Sequence, residues 1–213
     1  MLKERKNAMK LILKKTLQHI RENFAYYGFS ASALFVGAAI AAVCAFSLPE
    51  LSQKELVLFF DDFYINLTET GTDAKIIMLG GFKTNLFLFF ALIFMSSSII
   101  GLPLIIMTAM AKGFAFSFAL AFMFRAYGVR ALLFFVSAVL PHMFITFPLN
   151  LLLFAICIKF CKSLPIGKQG LKKEFGGFLL TLASLFLLAM AGVLMQAYIE
   201  PLLLECFAKF FIT

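Results

Sequence analysis

Five stretches of the sequence run for about twenty residues with little or no charge, and no other feature limits the fold so strongly. In hydrocarbon every backbone N–H and C=O must be satisfied within the segment or by a closed barrel, so apolar runs of this length predict transmembrane helices. The stretches are 26–48, 86–111, 113–129, 131–158 and 177–199. Composition agrees: 62% of the 213 residues are hydrophobic and 14% charged, against roughly 45–50% and about 25% for soluble domains. A chain this short cannot hide so much apolar surface in a water-borne core, which excludes a soluble globular enzyme, a disordered tail and a fibrous protein. The expected fold is all-α, a polytopic integral membrane protein with five transmembrane helices plus interfacial amphipathic helices.

The boundary between the second and third spans turns on Lys112. An unpaired lysine at mid-membrane is expensive, and the sequence offers no carboxylate inside any of the five stretches to pair it. We therefore expect Lys112 in a tight turn, with 86–111 before it and 113–129 after it. The alternative breaks the second span at Gly101-Leu102-Pro103 and buries Lys112; the count stays at five. In the preferred span 113–129, Arg125 snorkels to an interface. The first span, with a polar lead of about 25 residues, is too long for a signal-peptide h-region and is expected to be retained.

Charge sets the expected orientation. Segments 1–25 and 159–176 together with Lys112 hold thirteen Lys/Arg and three acids, a net +10, while the remainder holds six and eight, a net −2. The positive-inside bias places the N-terminus in the cytoplasm and the tail 200–213 outside. The overall charge of +8 follows this membrane pattern, so no nucleic-acid partner is expected. Trp is absent, and Tyr26, Tyr27, Tyr127 and Tyr198 lie near span ends as interfacial anchors.

Outside the spans, residues 3–24 place Met9, Leu13, Leu17, Ile20 and Phe24 on one helical stripe and basic residues off it. This pattern suits a cytoplasmic helix lying on membrane lipids. The loop 49–85 contains a second amphipathic helix at 52–67. Ser52-Gln53-Lys54-Glu55 is a capping-box pattern, and Leu56, Phe59, Phe60, Phe63 and Leu67 follow at helical spacing. That stripe either covers the outer ends of the spans or docks an extracytoplasmic partner. A weaker helix over 73–82 leads into the second span.

Small residues recur every four positions at Ala33, Gly37, Ala41 and Ala45, and again at Gly113, Ser117 and Ala121. Ser184, Gly192 and Gln196 are read as one face of the last span. Such stripes mark close helix approaches, within the chain or with a partner helix.

Catalytic chemistry has no visible members. H-E-x-x-H, G-x-S-x-G and a phosphate-binding P-loop are all absent. Cys44, Cys157, Cys161 and Cys206 form no metal-ligand spacing and read as apolar filler. No catalytic residue, metal or cofactor is expected. The polar exception is Leu140-Pro141-His142-Met143-Phe144-Ile145-Thr146-Phe147-Pro148. Pro141 leaves a carbonyl one turn earlier without its usual donor, and His142 or Thr146 could satisfy the kinked backbone. The sharper reading is an ion, proton or partner site, as in a small transport or channel subunit built on this Pro-broken helix.

Taken in order, Leu51-Ser52-Gln53-Lys54-Glu55, Ile100-Gly101-Leu102-Pro103, Lys112-Gly113 and Val139-Leu140-Pro141 with Pro148 make the chain resemble the stage II sporulation protein M family over about residues 20–213. The wider family often resembles P-H-x-x-x-E-x-P at the last site, where this chain has Thr146 in place of the carboxylate. The resemblance implies a non-enzymatic scaffold in the engulfment of the forespore. It would sit in the mother-cell or septal membrane and recruit two peptidoglycan-degrading partners, the stage II sporulation proteins D and P. Tethering raises local concentration and needs contact surface rather than catalysis.

Overall fold

In the computed structural model, residues 21, 23–69, 73–129, 135, 140–164 and 171–203 are described. They form α1 (Phe24–Phe46), α2 (Glu50–Glu69), α3 (Ala74–Ser96), α4 (Gly101–Tyr127), α5 (Leu140–Ser163) and α6 (Leu171–Leu194). A π-helical turn, Met195–Ile199, then carries α6 onward, so that its apolar helix reaches Leu203. Among the described residues five helices are long and apolar enough to cross a membrane: α1, α3, α4, α5 and α6 with its extension. The chain is an all-α, multi-pass membrane protein. Most of the basic segment 1–25 lies outside the described residues, as do 165–170 of the basic loop and 204–213 of the tail.

Three expected boundaries are corrected. The second and third spans divide at residues 97–100, and Lys112 sits inside α4. Ser97 turns its hydroxyl back to the Ile93 carbonyl (2.8 Å), and Gly101 N–H closes the turn on Ser98 O (2.9 Å). A Cβ at Gly101 would run into the Met95 carbonyl, so only glycine fits this approach. Pro103 follows in the first turn of α4, where a missing N–H costs no helical hydrogen bond. Nothing comparable interrupts the helix at Lys112-Gly113. The weaker helix expected over 73–82 is the first part of α3 itself, capped by Asp73, which accepts from Lys75 N–H at 2.9 Å. The fourth span ends later than expected, at Ser163, and Pro141 falls in the first turn of α5. Pro148 is inside that helix.

Three contacts fix which ends lie together. Cys161 Sγ donates to Ser98 O at 3.0 Å, and the Lys162 ammonium lies 5.5 Å from the centroid of the Tyr26 ring. The start of α1, the α3–α4 turn and the end of α5 therefore share one end of the bundle. At the other end, Arg125 Nη1 donates to Ala45 O (2.8 Å) and Leu48 O (3.1 Å). This guanidinium caps the end of α1, where unsatisfied carbonyls and the helix dipole both favour a cation. Arg125→Met keeps the apolar stem and removes the cap. It is expected to lower stability by about 1–3 kcal/mol, read as an earlier midpoint in SDS-titrated unfolding; an unchanged midpoint would show that water replaces the cap.

The core lies where α1, α3, α4, α5 and α6 meet, around Leu92, Ile105, Leu153, Phe154 and Leu182. Phe160 stacks on Phe178 with ring centroids 4.1 Å apart, locking α5 to α6. Cys157 and Cys161 are buried in this core, while Cys44 is exposed.

The two main small-residue stripes meet each other. A Cβ at Gly37 would strike the Met110 carbonyl, and one at Gly113 would strike the Leu34 carbonyl. Helical carbonyls point toward the C-terminus, so this reciprocal pattern sets Gly37 level with Gly113 in a parallel crossing. The difference in number, 113 − 37 = 76, also puts Ala33 by Ala109, Ala41 by Ser117 and Ala45 by Ala121. The Arg125 cap on Ala45 and Leu48 keeps the same register. The third stripe is only partly a seam. Gly192 is buried against Thr146, but Ser184 is exposed and bonds Thr181 O within its own helix.

Candidate functional site

A half-open cavity of about 640 Å³ lies between α1, α4 and α5, with Phe60 of α2 and Phe135 on its wall. Its lining is mainly apolar, and Lys112, Ser117, His142, Thr146 and Asn150 supply the polar groups. A site of that size with few convergent polar groups has the general form of a ligand pocket.

Depth follows from the helical rise. Lys112 is fourteen residues beyond Ser98, about 21 Å, and Asn150 is eleven residues before Cys161, about 16 Å. Since Cys161 touches Ser98, the two polar groups stand within roughly one helical turn of each other in depth, near the middle of a ~30 Å hydrocarbon layer. His142 and Ser117 are both nineteen residues from that reference, about 28 Å. The cavity thus has a middle tier with Lys112 and Asn150 and an outer tier with His142 and Ser117.

The outer tier contains a carboxylate that the sequence reading left outside the spans. His142 Nδ1 pairs with Glu200 Oε1, and the Glu200 residue is only 6% exposed. The expectation that no acid lies within a span is corrected here, because the last helix continues past Ile199. Pro201 cannot donate a hydrogen bond, and its ring presses on the carbonyl four residues earlier. The preceding turn is widened, with Glu200 N–H donating to Met195 O five residues back. That extra residue rotates Glu200 toward α5. The imidazole is therefore bound to a side chain rather than to a carbonyl freed by Pro141. Thr146, one helical turn beyond His142 in α5, packs against Gly192. In this chain α6 brings the carboxylate to the histidine.

The remaining candidates separate by role. Gly101 and Pro103 build the α3–α4 turn, Gly113 builds the crossing with α1, and Pro141 and Pro148 belong to α5. Of the α2 stripe, Phe60 does not face outward as a partner surface. It stacks on buried Phe122 with centroids 5.6 Å apart and reaches the cavity, fastening α2 to the bundle. Phe59 is 65% exposed and Leu56 is intermediate, whereas the side chains of Phe63 and Leu67 lie outside the described residues. Leu51 and Leu58 also face outward, though neither was in the stripe read from the sequence. Asn150 was missed as well, because one amide in an apolar run carries no spacing signal.

No curated protein and no solved structure matches the chain. The family Stage II sporulation protein M matches it over residues 30–201, from the first turns of α1 to the proline behind Glu200. That stretch takes in every described span, the α3–α4 turn and the His142–Glu200 pair, and on it the chain belongs to the stage II sporulation protein M family, a family of sporulation-related membrane proteins.

Proposed function

We propose that this protein is a non-enzymatic membrane scaffold that gathers peptidoglycan-degrading partners at the engulfing septal membrane. By the family resemblance the partners are the stage II sporulation proteins D and P. The carrying observation is α2, whose Phe60 is anchored on Phe122 while Leu51, Leu58 and Phe59 stay exposed. An amphipathic helix fixed to the bundle by one aromatic residue presents its other apolar residues at a defined place, as recruitment requires. The non-enzymatic reading rests on the missing catalytic motifs. Orientation rests on charge: with Lys112 moved into α4, the cytoplasmic side still carries twelve Lys/Arg against six. This puts α2 and the His142 end of the bundle outside the cytoplasm, where peptidoglycan lies.

The test is Leu58→Glu with Phe59→Glu, which leaves the Phe60 anchor in place. Fluorescently tagged partners in sporulating cells are expected to lose their septal focus while the variant inserts at normal levels. Partners that still concentrate at the septum would remove α2 as the recruiting surface.

A further inference from the structure

Lys112 is the cavity's unanswered charge. Among the described residues no acceptor lies within hydrogen-bonding distance of its ammonium, and Glu200 is already taken up by His142. Asn150, about one helical turn away in depth, likewise has no protein partner among the described residues. A half-buried ammonium near mid-membrane needs either water or an anion beside it. The walls are apolar and aromatic, with Phe116 half-buried and Phe35 and Phe147 exposed on the bundle surface, which suits a hydrocarbon chain better than a column of water.

We infer that the cavity binds an anionic amphiphile, a single lipid-like molecule whose phosphate or carboxylate meets Lys112 and Asn150 and whose chain lies along the aromatic wall. Charge complementarity selects the head: one cation with an amide donor lining the same cavity at similar depth fits one anionic group. Volume selects the size, since about 640 Å³ admits a head and part of a chain but not a second protein helix. Phe60 of α2 closes one side of the space, so occupancy would also brace the helix that carries Leu58 and Phe59. This site does not depend on the scaffold reading, because binding is measured on the protein alone.

The full chain is purified in a neutral detergent and titrated, by native mass spectrometry, with palmitate, phosphatidylglycerol and a long-chain isoprenyl phosphate. Hexadecanol and phosphatidylcholine are the controls without net negative charge. One bound anionic molecule per chain is expected, with hexadecanol weaker by about tenfold or more. Lys112→Met should lose the same factor and Lys112→Arg should keep most of the binding. Palmitate alone would identify a carboxylate ligand, phosphatidylglycerol alone a bilayer phospholipid, and the isoprenyl phosphate alone a free lipid phosphate. Equal binding of hexadecanol, or undiminished binding by a folded Lys112→Met, would overturn the site. Asn150→Leu, which leaves the cation in place, should weaken binding less than Lys112→Met; the reverse order would also overturn it.

Discussion

Replacing both Gly37 and Gly113 with leucine will leave α1 unable to seat against α4, and the protein will not be recovered as a monodisperse species from detergent. Each new Cβ would overlap a backbone carbonyl, Met110 at one site and Leu34 at the other. A backbone atom cannot rotate away as a side-chain tip can, so the helices must separate. Overpacking typically costs about 1–3 kcal/mol per site, and a backbone clash belongs at or above the top of that range. Two such changes compete with a total stability of roughly 5–15 kcal/mol. In lipid the loss is not offset by hydrophobic rescue, because helix association there depends on close packing. Gly28→Leu and Gly177→Leu are the controls, since a Cβ at either position meets nothing within 4 Å. SDS-titrated unfolding followed by circular dichroism reads the effect. A double variant as stable as these controls would mean that the crossing is not the tightest seam of the bundle.

The second large effect is expected at His142 and Glu200. Glu200 is buried and His142 half-buried, so removing one member of the hydrogen-bonded pair strands the other, at a cost of up to about 3–5 kcal/mol. His142→Leu and Glu200→Leu should each destabilise the protein by that order, and Glu200→Gln less, because an acceptor remains. The double His142→Leu, Glu200→Leu variant should recover most of the loss, since two apolar side chains of suitable volume leave no polar group stranded. A cycle of the four proteins isolates the coupling. Purely additive losses would show that His142 and Glu200 act separately in the membrane. Because the pair ties the start of α5 to the extended end of α6, limited proteolysis should also cut the single variants faster near Pro201.

How much of this was legible depends on the range over which each residue acts. The five spans follow from local composition, but the capping-box pattern misplaced the start of α2: the helix begins at Glu50, with Gln53 N–H donating to Pro49 O, so Ser52 lies inside its first turn, and Tyr27 is buried in the bundle. The glycine and alanine stripes at 33–45 and 113–121 were legible as seams, since four-residue spacing puts small residues on one helical face. That the two stripes pair with each other was not legible, because spacing along one helix says nothing of its neighbour. Phe59 and Phe60 share one stripe in sequence, yet one points outward and the other stacks on Phe122.

The placement of Lys112 shows the limit most clearly. The cost of a mid-membrane lysine favours a turn at that position, but that cost holds only where lipid surrounds the charge. In the folded bundle it lines a half-open cavity, and that cavity exists only once α1, α4 and α5 have packed. The true turn was signalled by Gly101 and Pro103, whose local backbone demands outweighed the penalty. Glu200 was misplaced for a related reason: an acid beside a proline ordinarily marks the end of a span, and its partner lies 58 residues away in sequence. By itself, then, the sequence determined the membrane, the number of crossings, the charge bias across them and the surfaces able to approach closely. Each of these follows from transfer energies and helical periodicity, which act within one segment. Only the tertiary structure decided which helices meet, where the lysine finds room and which carboxylate answers the histidine, because long-range packing creates the environments in which those polar groups become affordable.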